Sequence, residues 1–502
     1  MLIPSVERAT RVRLVVLFFA CMLSLITYMD RVCISQVKDQ IERDLHLSDT
    51  QMGLVFSAFV LGYALFEVPG GYLGDIWGAR RVLTLIVLWW SVWTALTGCV
   101  WYFHLDSGWW LGPIPLLFNS LLTMLLVRFI FGAGEAGAFP NLTRVVSAWF
   151  PYRERARAQG AIWMSARLGG AMAPVVIDEL ARALGWRPAF WVLGLVGVAW
   201  CVGFYWWYRD RPEEMPQCNA AEREWIRDGL LPEREPPSSP TAAAPSVPVP
   251  EEEDRILAHR ESLTEAPPLP ATALDPLPPD PPPEEDVGHS WPPMHVLATS
   301  VSLWALCLAA ACVSFGWWFY PTWQPTYLKE VHGISSRASA WAAALPFLCG
   351  AVGSFLGGGL SDWLVGRLGS RRWGRSLVGA VSFTGAGVCM LLTGFATSRE
   401  QVILLLCLAF FINDLGIPPI WAASADIGGR YAGTVAGVMN MAGGIGAFLS
   451  PMLTPIVLSA LPTQWSPVER WRWIFVGLSA AWFLAAYAWL FVDAGKPLFK
   501  GK

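Results

Sequence analysis

Arg128 and Glu135 lie seven residues apart in an apolar stretch, so a helix there would place both on one face, two turns apart. A charged side chain at the centre of a bilayer costs at least about 2.5–3.5 kcal/mol, and it therefore faces a protein interior or a water-filled path. A cation and a carboxylate on such a face could bind an anion and move a proton. A static buried ion pair is the alternative interpretation.

A second acid and base, Asp30 and Arg31, end the first apolar stretch. Adjacent residues do not face each other on a helix, so these two would serve different partners, unless they form an interfacial charge pair. Glu67, Arg167 and Asp414 also lie inside apolar stretches. Each could be a satisfied polar contact between helices, but acids near the midplane of transporters commonly belong to ion or substrate paths.

The composition indicates a membrane protein, so these charges lie on helices that cross a bilayer. Of 502 residues, 54% are hydrophobic and only 15% are charged, whereas a soluble domain carries roughly 25% charged residues. Several apolar runs exceed the roughly 20 residues that cross a bilayer as a helix. We predict an all-α polytopic protein with twelve spans, at residues 13–35, 50–74, 81–103, 117–139, 157–180, 188–208, 295–320, 338–361, 374–396, 401–425, 431–459 and 471–493.

The spans fall into two equal sets, which predicts two six-helix bundles, 1–208 and 294–502. The intervening segment 209–293 is rich in Pro and Glu and poor in apolar residues, so we expect a largely disordered linker. Its first part, AEREWIRDGL, could form a short helix. Arginine clusters occur in loops that would share one side with both termini and the linker, and the positive-inside rule makes that side cytoplasmic.

Several functional classes have no support in the sequence. The ten cysteines contain no CxxC, and the six histidines fall in loops or at segment ends, so we expect no metal site and no cofactor. A phosphate-binding loop of the Walker type is absent, which argues against an ATP-driven pump. The sequence shows no catalytic constellation and no sign of nucleic-acid binding. We therefore expect a membrane protein that is not an enzyme.

The two halves repeat a short motif. Gly71-Tyr-Leu-Gly-Asp75 follows the second span and Gly358-Gly-Leu-Ser-Asp362 ends the eighth, each with arginines downstream. A duplicated six-helix unit with this turn resembles the major facilitator superfamily. The resemblance implies that a cytoplasmic gate is formed by Gly71, Asp75, Gly78, Arg80 and Asp362.

Further motifs resemble the anion:cation symporter family, which includes bacterial hexuronate and galactonate transporters and sialic-acid carriers. They are Asp30-Arg31, Phe56-Ser-Ala-Phe59, Gly62-Tyr63, Arg128-Phe, Gly134-Glu135-Ala, Trp149-Phe-Pro151, Glu154-Arg155-Ala-Arg-Ala-Gln-Gly160 and Trp323-Gln-Pro325-Thr-Tyr327-Leu328. The segment from Pro212 to Ile226 is also similar to the family's segment after its sixth helix.

The resemblance implies a role for each matching residue. Arg31 and Tyr63 would contact the substrate, with Arg31 pairing its carboxylate, and Asn440 would add a polar contact from the second half. Asp30 and Glu135 would be the protonation sites. Arg128 would hold Glu135 or compete with the proton for it. We add Arg128 and Asp414 to the candidate substrate contacts.

These observations predict a proton-coupled symporter of a small organic anion, such as a hexuronate or aldonate, that works by alternating access. The expected partners are the anion, protons and the lipid bilayer, with a monomeric transport unit in the cell (inner) membrane. The proton gradient would supply the driving force. Sodium coupling, anion exchange, and a transporter-like sensor that acts through the linker remain alternatives.

Overall fold

In a computed structural model of the protein, the structure describes residues 8–111, 114–228, 292–333 and 336–499. Most of the segment predicted to be a disordered linker, residues 229–291, lies outside this description. The division at residues 208 and 294 into two bundles and a linker stays a prediction.

Helices account for nearly all of the described part before the linker. They are α1 (Val12–Gln36), α2 (Lys38–Leu45), α3 (Asp49–Trp77), α4 (Ala79–Thr97), α5 (Ser120–Glu135), α6 (Ala138–Trp149), α7 (Arg155–Leu184), α8 (Trp186–Trp207) and α9 (Ala220–Asp228).

The described part after the linker is helical in the same way. Its helices are α10 (Met294–Thr299), α11 (Val301–Trp317), α12 (Phe319–Thr322), α13 (Gln324–His332), α14 (Ser336–Leu368), α15 (Arg371–Thr393), α16 (Arg399–Gly428), α17 (Ala432–Ala460) and α18 (Pro467–Ala488).

The predicted fold class is confirmed. Eleven helical segments of the described residues are long and apolar enough to cross a membrane, and one of them, Arg399–Ala460, is 62 residues long. That segment holds two long helices, α16 and α17, joined by a single 3-10 turn. Twelve spans are thus present, and most predicted boundaries agree within a few residues. Many large apolar side chains are exposed on the outer surface, as expected for helices that face lipid.

Two spans that we predicted to be continuous are interrupted. The fourth is divided into α5 and α6 directly after Glu135, and the seventh is divided at Ser300 and Trp318 into α10, α11 and α12. A proline follows two of these breaks, Pro140 in the fourth span and Pro321 after Trp318, and a proline has no N–H to donate to the carbonyl four residues earlier. Glu135 therefore sits at the last residue of a helix, where the backbone is less regular.

The connection after α4 also differs from the prediction. Helix α4 ends at Thr97 rather than near residue 103, and the predicted loop 104–116 belongs to an antiparallel hairpin of strands β1 (His104–Leu111) and β2 (Ile114–Asn119). The hairpin lies between two spans and does not alter the helical fold class.

The beginning of the predicted linker is ordered, and the short helix that the sequence suggested there is α9. Glu222 of α9 is buried, and its carboxylate accepts hydrogen bonds from the N–H groups of Val12 (3.0 Å) and Arg13 (3.2 Å). These N–H groups begin α1 and have no partner inside that helix. Satisfying them fixes α9 against the start of the first span.

The two halves contact each other most extensively along two helix pairs, α3 with α17 and α7 with α14. Glycines allow the close approach. A Cβ atom on Gly71 of α3 would overlap the carbonyl oxygen of Gly433 on α17, and one on Gly358 of α14 would overlap that of Ala156 on α7. The repeated glycine-rich motifs therefore lie at equivalent contacts between the halves.

Candidate functional site

An ion pair between Arg31 of α1 and Glu135 of α5 lies in the first half. The Nη2 and Nε atoms of Arg31 donate to the same carboxylate oxygen, Oε1 of Glu135, at 2.6 and 3.0 Å. The Glu135 side chain is 1% exposed, whereas the Arg31 side chain keeps 22% exposure. The second oxygen of Glu135 has no hydrogen-bond partner among the described residues. Arg31 can therefore reach an incoming anion while Glu135 stays buried behind it.

Aromatic rings hold the Arg31 guanidinium in place. Its carbon lies 4.6 Å from the ring centroid of Tyr63, 5.2 Å from that of Tyr28 and 5.4 Å from that of Phe59. A ring face attracts a cation but leaves the N–H donors at the edge of the guanidinium available. The sequence prediction that Arg31 and Tyr63 lie together is consistent with this arrangement.

The resemblance implied that Arg128 holds Glu135 or competes with the proton for it, but among the described residues the hydrogen-bonded partner of Glu135 is Arg31. The guanidinium carbon of Arg128 lies 5.2 Å from the ring centroid of Phe59 and 4.5 Å from that of Phe131, and the Nε atom of Arg128 has no hydrogen-bond partner in the described part of the chain. Helical spacing gave the correct face but could not show that α1 brings a second arginine, Arg31, closer to the carboxylate. Arg128 keeps only a longer-range electrostatic interaction with Glu135.

Asp30 is buried in the same region. Its side chain interacts electrostatically with Arg128 and Glu135, but neither carboxylate oxygen has a hydrogen-bond partner among the described residues. Adjacent in sequence, Asp30 and Arg31 serve different partners, as predicted from helix geometry.

A polar cluster across the two halves extends the site. Asn440 of α17 donates through Nδ2 to the hydroxyl oxygen of Tyr63 at 3.3 Å, and it forms a short hydrogen bond to Oε1 of Glu67. Tyr63 and Glu67 are both on α3. The structure thus places Asn440, predicted from the second half, beside the ring that covers Arg31.

A second ion pair across the halves joins Arg167 of α7 to Asp414 of α16. The Nε atom of Arg167 lies 2.8 Å from Oδ2 of Asp414, and both side chains are almost fully buried. Arg167 also donates to the Tyr28 hydroxyl at 3.4 Å. Tyr28 contacts both Arg31 and Arg167, so it connects the Arg31–Glu135 pair to the Arg167–Asp414 pair.

A different set of contacts closes the halves at the end where the arginine clusters lie, here called the arginine-rich face. Asp75, at the end of α3, accepts hydrogen bonds from the N–H groups of Gly433 (3.1 Å) and Thr434 (2.7 Å). In the other half, Asp362 of α14 accepts them from Ala156 (3.2 Å) and Arg157 (2.6 Å). Each duplicated aspartate therefore binds the first turn of a helix in the opposite half, where free N–H groups and the helix dipole favour an anion.

Arginines complete this closure. Arg144 lies 3.1 Å from Asp75 and Arg375 lies 2.5 Å from Asp362. Asp426 of α16, which our sequence analysis missed, binds Arg155 at 2.6 Å and Arg375 at 3.3 Å. Part of its signal was available in the sequence, since arginines of two separate clusters, 153–157 and 371–375, need acidic partners once they are buried.

Arg80 is not part of this closure. Its guanidinium donates to the carbonyl oxygen of Tyr205 at 2.6 and 2.9 Å, and its N–H donates to Asp210 at 2.9 Å. These contacts stay within the first half. The nearby Gly78 has a φ of +82°, and a Cβ there would overlap Asp210, so this glycine is required by the turn. The expected gating role of Arg80 is therefore not supported, and Arg144 contacts Asp75 instead.

Comparison with known proteins is consistent with this architecture. The sequence family described as Major Facilitator Superfamily matches residues 20–451, which is most of the chain. The chain belongs to the major facilitator superfamily and is a multi-pass membrane protein.

Among its relatives, the probable sulfoacetate transporter of Cupriavidus necator is 32% identical over 452 residues, covering 89% of this chain and 87% of the relative. The probable galactarate/D-glucarate transporter of Bacillus subtilis is 26% identical over 458 residues, covering 90% and 87%. Both relatives are named as transporters of organic anions, and together with the family match they confirm the predicted family.

A solved structure shares the fold. The proton:xylose symporter XylE, bound to 6-bromo-6-deoxy-D-glucose, superimposes with a TM-score of 0.65 at 13% sequence identity, covering 98% of each chain. At this identity the similarity concerns the fold alone.

Proposed function

We propose that this protein is a secondary active transporter that carries a small organic anion, a sugar acid or a related short-chain acid, together with protons. The observation that carries the proposal is the Arg31–Glu135 pair. Arg31 is a permanent cation, held by aromatic rings and partly exposed, and its present partner is a buried carboxylate that can accept a proton. The names of the two relatives support the choice of an organic anion.

In the proposed coupling, a carboxylate of the substrate takes the place of Glu135 on Arg31. A guanidinium offers a planar set of donors that fits a carboxylate, so the exchange preserves its charge-assisted hydrogen bonds. Glu135, left buried without its cation, is then stable only in the neutral form, because an unpaired buried charge is costly. Substrate binding and proton binding would therefore favour each other. Asp30, buried beside Arg128 without a hydrogen-bond partner in the described part of the chain, is the second candidate proton carrier.

The transport cycle we propose is alternating access between the two halves. The contacts of Asp75, Asp362 and Asp426 hold the arginine-rich face closed in this structure. Since positive loops mark the cytoplasmic side, this closed face would be cytoplasmic, with the termini and linker on the same side. Substrate would then enter from the other side, and these contacts would break for release. A single chain would be the transport unit.

A charge substitution tests the closure. Asp426→Asn removes the carboxylate shared by Arg155 and Arg375. Arg375 keeps Asp362, but the buried Arg155 loses its ion-pair partner, which is strongly destabilising for that contact. We expect hydrogen–deuterium exchange at the N–H groups of residues 156–157 and 433–434 to become faster by about tenfold or more, equivalent to about 1.4 kcal/mol. Asp178→Asn, which breaks an exposed ion pair with Arg182 at the far end of α7, is the matched control. Unchanged exchange in Asp426→Asn would contradict the role of this network.

The function itself is tested by uptake into proteoliposomes. Purified protein should accumulate galactarate or sulfoacetate when the lumen is made more alkaline than the outside, and a proton-conducting ionophore should abolish accumulation. Uptake that requires sodium, or only exchange of internal for external anion, would replace proton symport with one of the alternatives. No transport of any organic acid would refute the proposal.

A further inference from the structure

The ion pair between Arg167 and Asp414 has features that a static contact does not need. Each partner keeps other contacts that do not involve the pair. The guanidinium carbon of Arg167 lies 5.0 Å from the ring centroid of Trp317 and 5.4 Å from that of Trp163, with Phe410 at 5.7 Å and Tyr28 at 6.0 Å. Arg167 is thus held by rings on its faces, and its donors point to Asp414.

Asp414 is similarly supported from its own half. Its Oδ2 atom accepts a hydrogen bond from Ser354 at 3.2 Å, and its Oδ1 atom accepts one from Asn413 at 3.0 Å. If the pair opened, Asp414 would keep two donors and Arg167 would keep its ring contacts. Breaking a buried ion pair is costly when it leaves an uncompensated charge. The incoming anion would keep Arg167 paired, and the charge-assisted hydrogen bonds from Ser354 and Asn413 reduce the cost of leaving Asp414 without its cation. An anion that replaced Asp414 on Arg167 would therefore meet a site that is already formed.

Arg167 lies within reach of a molecule bound at Arg31. The two guanidinium carbons are 5.2 and 6.0 Å from the centroid of the same Tyr28 ring, which limits their separation to about 11 Å. A small molecule with acidic groups a few carbon atoms apart can span such a distance. Both arginines are in the first half of the chain, whereas Asp414 is in the second.

We propose that Arg167 is a second anion-binding residue and that the substrate is an organic dianion. One acidic group binds Arg31 and the other takes the place of Asp414 on Arg167. This inference rests on the proposed function and narrows its substrate class. A dianion, unlike a monoanion, would also break a contact between the two halves, because it would displace Asp414 from Arg167 and so remove their ion pair.

Two probes that differ by one charge test the proposal. Galactarate has a carboxylate at both ends of a six-carbon chain, and galactonate has one carboxylate and one hydroxymethyl group. Their affinities for purified protein are measured by titration calorimetry at pH 7.5, where all carboxylates of the probes are ionised. We expect tighter binding of galactarate to the wild-type protein.

Two variants assign the difference to Arg167. Arg167→Gln, and the double variant Arg167→Gln with Asp414→Asn, should lose about 10- to 100-fold in affinity for galactarate, the range of one charge-assisted contact, and little for galactonate. The double variant removes both charges together, so its melting temperature should stay close to that of the wild type. Arg182→Gln, at an exposed position of the same helix, should change neither affinity.

The outcomes separate the two proposals. Equal losses for both probes, or no loss for either, would overturn the role of Arg167 and leave organic-anion transport intact. The same holds if wild-type protein binds galactonate as tightly as galactarate. Sulfoacetate and isethionate form a second pair that differs in the same way, a carboxylate against a hydroxymethyl group. If the wild type binds none of the four compounds, the inference is overturned, and the uptake experiment with other organic acids decides the proposed function separately.

Discussion

Uptake driven by a pH gradient should be abolished in Glu135→Gln, while exchange of internal for external substrate continues. Glutamine has nearly the same shape as glutamate but cannot gain or lose a proton, so the proposed proton step is lost. Arg31 would meanwhile face a weaker competitor for its donors, because a neutral amide oxygen replaces the carboxylate oxygen Oε1 that accepts two of its hydrogen bonds. Substrate binding should therefore persist or become tighter.

The size of this effect follows from the driving force. A gradient of one pH unit supplies about 1.4 kcal/mol for each proton carried, equivalent to about tenfold accumulation. We expect Glu135→Gln to show no accumulation in proteoliposomes under that gradient, with counterflow measured in the same preparation. Glu42→Gln, which removes the partner of Lys38 on the short helix α2, is the matched control and should accumulate normally. If Glu135→Gln lost counterflow as completely as accumulation, the residue would have a structural or binding role instead.

Arg31→Lys should weaken substrate binding by about 10- to 100-fold, the range of one or more charge-assisted hydrogen bonds. Lysine keeps the positive charge but offers a compact ammonium group instead of a planar set of donors. It also loses the stacking of a flat guanidinium on Tyr63 and Tyr28. The effect should therefore appear in affinity even though the net charge of the site is unchanged.

Titration of the purified protein with its anion measures this loss directly. Arg43→Lys on α2 is the control for a change of the same type at a position where the guanidinium only donates to the carbonyl oxygen of Asp39. Affinity of Arg31→Lys close to that of the wild type would exclude Arg31 as the substrate's principal partner.

Hydrophobic length and repeated motifs were sufficient to predict the fold. The spans are long, apolar and separated by polar turns, so their number and approximate bounds could be predicted from composition alone. The duplicated aspartates, Asp75 and Asp362, were identified from spacing, and they do occupy equivalent positions between the halves. These are local properties of the sequence.

Local sequence patterns could not predict which side chains from distant segments pair with each other. The spacing of Arg128 and Glu135 indicates a shared helical face, yet the partner of Glu135 is Arg31, more than one hundred residues away in sequence. Helical periodicity describes one helix and carries no information about which neighbour approaches it. Arg80 was assigned to the closure from the motif, and a motif likewise gives no information about which arginine reaches Asp75, which is Arg144. Asp426 could have been found by asking which acids neutralise the buried arginines.

The two aspartates of the closed face bind backbone N–H groups as well as side chains. A backbone donor is present whichever residue occupies positions 156, 157, 433 or 434, unless that residue is proline. Donor positions with room for another side chain can therefore change in sequence without loss of the backbone hydrogen bond, whereas the acceptor carboxylates cannot. Gly433 is an exception, because a Cβ there would overlap the carbonyl oxygen of Gly71, and the Thr434 hydroxyl adds its own hydrogen bond to Asp75. In a saturation mutagenesis experiment, Asp75 and Asp362 should reject nearly every substitution. Positions 157 and 434 should tolerate many small residues but not proline. Substitutions at these donor positions would therefore correlate only weakly with the residues at positions 75 and 362, although the two sides of each contact are hydrogen-bonded.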